Sequence, residues 1–175
     1  MGEGMDKSVA NEERAVVRMI VKNDDDFLSV FSASETPVIS TEVAEFIESS
    51  TLSLPPSKPL SLHICSNCID EEEKRVYSRA IRAYYAERYH AIEQERKRNV
   101  RVVLLLTLIG ILILSLALFL DGIEHFLWAE VIDIAAWVFL WEAVDIGAFH
   151  NRDLRVKRMR YHTYMTMQIE YDSLG

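Results

Sequence analysis

No lysine or arginine occurs from Val102 through Asn151, a gap of 50 residues in a chain of 175 that carries 19 basic side chains. The first part of this gap, Val102–Leu120, also lacks acids, and Thr107 and Ser115 are its only polar side chains. As a helix these residues rise about 28 Å, at about 1.5 Å per residue, close to the roughly 30 Å of a bilayer's hydrocarbon. The absence of charge over that length predicts a transmembrane span at about 102–120. A second stretch, about 126–149, is long enough to cross again but contains Glu130, Asp133, Glu142 and Asp145.

Other absences narrow the reading. No apolar run follows the N-terminus, so no cleavable signal peptide is expected, and residue 6 is not the Ser or Thr of a myristoylation signal. The first span then acts as its own insertion signal. Of the four prolines and six glycines, only Gly110 lies between Asp70 and Leu120, which predicts one helix of about 50 residues there. With two cysteines in all, the stretch HICSNC supplies His63, Cys65 and Cys68 but no second pair to close a tetrahedral zinc site. Two reduced cytosolic thiols are the favoured reading, with metal ligation by these three the weaker one. There is no glycine-rich phosphate loop, nucleophile elbow or metalloprotease helix, and the histidines at 63, 90, 125, 150 and 162 are dispersed. No enzyme activity and no cofactor are therefore expected.

Basic residues gather on both sides of the gap. Arg96, Lys97, Arg98 and Arg101 precede it, and Arg152, Arg155, Lys157, Arg158 and Arg160 follow it. The positive-inside rule retains both groups in the cytoplasm, where they would meet anionic headgroups, and turns the loop around LDGIEH outward, with Asp121 and Gly122 ending the first helix. Residues 1–73 hold 15 acids against five bases and residues 74–101 nine bases against three acids, for a net charge of -8. The basic part borders the span, so membrane lipids rather than nucleic acid are the expected partner.

Residues 1–57 read as an acidic, largely mobile cytoplasmic segment with short helices. Asp26 would cap FLSVF, and Ser40 would cap TEVAEFIE, whose Val43, Phe46 and Ile47 share a face. LPPSKP reads as an extended linker. Residues 58–100 open on LSLHIC, where Leu60, Leu62 and Ile64 alternate with polar residues, and the tail repeats that two-residue period from about Tyr164 to Tyr171. These two strands are expected to pair. Asp70 and Glu73 stand at capping-box spacing, and the helix they start carries an apolar side through Val76, Tyr77, Ala80, Ile81, Tyr84, Ala91 and Ile92, read as a packing face.

Within the second stretch, about 100° per residue puts Glu130, Asp133, Trp137, Trp141 and Asp145 in an arc of about 120°, with Glu142 about 60° beyond it. An ionised acid at the bilayer centre costs about 2.5 to 3.5 kcal/mol, so these acids need a partner. In the plainer reading Glu130 and Asp133 lie near the outer surface, while Glu142 and Asp145 meet Arg98, Arg101 or Arg152 at the inner one, with the tryptophans as packing or belt residues. In the sharper reading several copies assemble with this face inward as a cation pathway. Contact with another membrane protein is the third.

The run RNVRVVLLLTLIG, the segment WVFLWEAVDI with its basic tail, and the LHI strand before an acidic helix start resemble small two-span bacterial inner-membrane proteins of uncharacterised activity, over roughly residues 58–171. That resemblance implies a bacterial inner-membrane location and carries over no active residue. The expectation is a mainly α membrane protein: a two-helix transmembrane hairpin at 101–149, a basic tail at 150–175, and a small cytoplasmic α+β element of two short strands and a long juxtamembrane helix. Both termini would be cytoplasmic, and the role that of a non-enzymatic scaffold or regulatory subunit, in a homo-oligomer or with another membrane protein.

Overall fold

The computed structural model describes residues 14–33, 35–121 and 126–174. The chain divides into two compact units, Met1–His90 with Arg158–Gly175 and Ala91–Lys157. Most of it is helical, with one small sheet.

In the first unit β1 (Ala15–Ile20), β2 (Leu60–Cys65) and β3 (Gln168–Asp172) form a parallel sheet in the order β1-β2-β3. Val17 pairs with Leu62, which pairs with Ile169, and Arg18 pairs with His63, which pairs with Glu170. Because successive side chains alternate in a strand, Val17, Met19, Leu62 and Ile64 are buried together on one face. The pairing of LSLHIC with the C-terminal strand is present, and it is parallel because the connection from β2 to β3 runs through every later helix. Two details differ from the alternation in the sequence. Tyr164 and Met165 are still helical, and the strand starts only at Gln168. The sheet also has a third strand, β1, inside the segment expected to be mobile.

Of that segment, residues 14–33 and 35–57 are described and belong to the first unit; residues 1–13 and Ser34 lie outside the described ones. FLSVF forms no helix, because Phe27 closes a turn on Asp24 and Leu28 bridges Ile39 antiparallel. Helix α1 (Thr41–Ser50) starts where Ser40 Oγ accepts the Val43 amide at 3.4 Å. Of the three residues expected on its packed side, Ile47 is buried and Val43 lies against the core, whereas Phe46 is 40% exposed and Ala44 is buried instead. LPPSKP is not extended: Lys58 N donates to Pro55 O at 3.0 Å, which makes a turn.

Helix α2 (Glu71–Asp121) has 51 residues. At its start Asp70 Oδ1 accepts the Glu72 and Glu73 amides at 2.8 Å and Glu73 returns a bond to Asp70 N at 2.7 Å, the expected capping box. Tyr77, Ala80, Ile81 and Tyr85 are buried against the sheet and α1. Tyr85 is absent from the expected packing face, and Ala91, included in it, is exposed.

In the second unit the later part of α2 runs antiparallel to α3 (Phe126–Val144), which continues through a π-helical stretch (Asp145–His150) into α4 (Asn151–Met165). The opposed sense follows from the contacts: Gly110 faces Ala136 and Leu140, Val103 faces Gly147, and Glu95 lies 3.5 Å from His150. Among the described residues one helix is long and apolar enough to cross a membrane, the Glu71–Phe119 part of α2. The stretch expected to cross a second time, at about 126–149, forms a 19-residue α-helix carrying Glu130, Asp133 and Glu142 and then a π-helix, and by length and composition it does not meet that test. Gly122 to His125, which include the expected cap and loop, lie outside the described residues.

Candidate functional site

The acidic residues singled out in the sequence sit on α3 and the π-helical stretch. Where α3 meets α2 the side chains are small or deeply packed: Ala136 and Ala143 on one side, Gly110 and Ala117 on the other, with Leu140 over Gly110. Small residues permit such close approach, and in lipid they are the usual contact between helices. The α3 helical period then turns Trp137 and Trp141 outward, 61% and 71% exposed. Glu130, Glu142 and Asp145 are exposed with them, and Asp133, at the edge of the contact face, is half-buried. Among the described residues none of the four acids makes an ion pair with Arg98, Arg101 or Arg152. Asp145 opens the π-helical stretch, a wider turn of the kind often found at functional positions.

The basic residues divide between two environments. Lys97, Arg98, Arg101, Arg152, Arg155 and Lys157 are exposed. Arg96 pairs with Glu93 at 3.2 Å. Arg158 instead packs within the first unit, donating to the Tyr89 hydroxyl at 2.9 Å with its guanidinium 5.4 Å from that ring's centre. Those two residues, with Ser57, Met159, His162 and Thr163, line a cavity of about 340 Å³. Arg160 lies beside Tyr164.

His63 is engaged by two carboxylates of β3. Its Nδ1 is 2.9 Å from Asp172 Oδ2 and its Nε2 3.3 Å from Glu170 Oε2, both on β3. Cys65 shares the outer sheet face with His63, and Cys68 lies in the bend beyond, its Sγ 3.1 Å from Ser66 Oγ. Among the described residues no group of His, Cys, Asp or Glu is arranged to hold a metal ion.

The tyrosines of the first unit each combine a packed ring with a bonded hydroxyl. Tyr77 stacks on Phe27 at 4.3 Å and donates to Asp24 at 2.8 Å. Tyr85 packs on Tyr164 at 4.8 Å, and Tyr164 Oη meets Thr51 Oγ1 at 2.6 Å. Burial pushes the phenols of Tyr77, Tyr85, Tyr164 and Tyr171 above the ordinary tyrosine value, for Tyr77 with help from the Asp24 carboxylate.

One cationic group escaped the sequence reading, which counted it only in the charge balance. Arg75, Arg79 and Arg82, at i, i+4 and i+7, form one exposed stripe on α2. The spacing was visible; what it borders was not. Comparison with family models, with curated proteins and with solved structures finds no match to this chain.

Proposed function

We propose that Ala91–Lys157 is embedded in a bacterial inner membrane as a pair of spans, and that the chain serves as a non-enzymatic membrane-anchored scaffold or regulatory subunit. The observation that carries this reading is the inverted burial of that unit. Along the α2–α3 pair Leu104, Leu112, Leu118 and Phe119 are each more than 60% exposed, while Gly110, Ala117, Ala136 and Ala143 are buried. Half-exposed leucines and phenylalanines forgo roughly 1 kcal/mol each in water. The eight on α2 from Leu104 to Phe119 that are about half exposed or more would together forgo an amount comparable to a domain's net stability of about 5–15 kcal/mol. Lipid removes that penalty. The basic residues bordering the apolar stretch support a cytoplasmic placement of both ends.

Single-cysteine labelling in intact cells and inverted membranes tests the arrangement, in a Cys65→Ser, Cys68→Ser background. A cysteine at Gly122 is expected to react only from the outside and one at Ser173 only from the inside. Labelling of both from the same side overturns the double crossing.

A second reading is favoured by one observation: the exposed Glu142 of α3 and Asp145 of the π-helical stretch make no ion pair among the described residues. Several copies joined through this face would form a cation pathway along Glu142 and Asp145. Measured cation flux in liposomes, lost in E142Q/D145N, is its expected signature. A monomer or dimer in detergent, or an assembled protein without flux, removes it.

A further inference from the structure

Strand β3 is an edge of the sheet, and beside it lies an open groove of about 780 Å³. One wall is the α2 stripe of Lys74, Arg75, Arg79 and Arg82; Ala83, Ala86, Met165 and Tyr171 make the apolar remainder. Its one acid, Glu71, is already paired with Lys74 at 2.6 Å. Arg79 and Arg82 have no side-chain hydrogen bond or ion pair among the described residues, in a chain with 27 acids. Alternation along β3 separates the charges. Glu170 and Asp172 turn to the outer face and are engaged by His63, while Tyr171 turns toward α2, where its hydroxyl meets Lys74 O and Ser78 Oγ, each at 3.0 Å. The groove side of the edge is therefore cationic and apolar, and among the described residues no further strand pairs with β3 along it.

We propose that this groove binds an extended peptide segment with acidic side chains at alternate positions, added to β3 as a fourth strand. Main-chain bonds to the edge supply register, and every second side chain of the incoming strand faces the arginines. The α2 residues bordering the groove, Glu71 to Ala86, span about 22 Å at about 1.5 Å per residue, room for six or seven residues of strand at about 3.3 Å each. Every residue of the groove lies in the first unit, so the inference goes beyond the membrane reading and does not depend on it.

The test titrates the purified full chain in detergent with a fluorescein-labelled peptide of alternating valine and glutamate. Saturable binding is expected, weakened about tenfold or more in R79E/R82E and less in R79Q/R82Q. Both arginines are exposed, so the variants should keep the wild-type circular dichroism. The matching valine–glutamine peptide, which leaves the protein untouched, should bind about tenfold more weakly or worse. N-methylation of alternate peptide amides should abolish binding in one register and spare it in the other. Equal binding of the Glu and Gln peptides, indifference to R79E/R82E, or any other N-methylation pattern overturns the proposal. So does preference of the same arginines for oligo-dT or for phosphatidylglycerol vesicles over the peptide.

Discussion

A β-carbon built on Gly110 would stand 2.8 Å from both Cγ and Cδ2 of Leu140, closer than side chains approach in real structures. Glycine here is a requirement of helix contact and not a weak point in α2. Gly110→Ala should force Leu140 or the helix itself to move, at a cost of about 1–3 kcal/mol. Leu140→Ala loses packing but opens the space, so Gly110→Ala should cost much less in that background. Thermal unfolding of the four combinations in one detergent reads the coupling. Strict additivity would show that the two residues do not touch.

The buried pair Thr51 and Tyr164 predicts an asymmetry between its partners. Thr51 Oγ1 lies 3.0 Å from the carbonyls of Ile47 and Glu48 as well as 2.6 Å from Tyr164 Oη. A hydroxyl has one proton to give, so Thr51 donates to its own helix and the tyrosine donates to Thr51. Thr51→Val leaves the phenol proton buried and unpaired and should cost about 1–3 kcal/mol. Tyr164→Phe leaves Thr51 with its carbonyls and should cost less. Urea unfolding curves for the two variants should fall in that order.

The capping box at the start of α2 gives a third expectation. Asp70→Ala removes an acceptor serving two amides, and a cap of this kind contributes about 0.5–2 kcal/mol. Asp70→Asn retains an acceptor and should recover most of the loss. Equal stability of Asp70→Ala and the wild-type chain would mean that the helix start contributes nothing to the first unit.

Legibility in the sequence followed the range of the forces involved. The box at Asp70 and Glu73, the cap at Ser40 and the absence of proline act locally, and so α1 and the full length of α2 were readable. The alternation in LSLHIC was readable for the same reason. β1 was not, because AVVRMI lies among acidic and serine-rich neighbours and finds its partner only at Ala15 with Leu60, 45 residues on. Tyr85 was passed over for its neighbour Tyr84; both are aromatic, and only the tertiary contact with Tyr164 decides which is buried. The contact of Arg158 with Tyr89, 69 residues apart, is of the same kind. The acids of α3 were readable as a cluster, but their outward direction follows from which side packs on Gly110.

The buried tyrosines predict how stability depends on pH. In the folded chain burial raises the phenols of Tyr77, Tyr85, Tyr164 and Tyr171, while in the unfolded chain they titrate near the ordinary value of about 10. Below about pH 10 both states hold these protons and the stability is independent of them. Above it the unfolded chain releases protons that the folded chain retains, so the unfolded state binds fewer and stability must fall as pH rises. Denaturation midpoints measured from pH 8 to 11 should therefore be flat and then decline. Tyr171→Phe loses the bonds to Lys74 O and Ser78 Oγ and should start lower at pH 8, yet decline less steeply, because one of the titrating groups is gone. Parallel curves for the variant and the wild-type chain would mean that Tyr171 ionises equally in both states and that its burial is not maintained in solution.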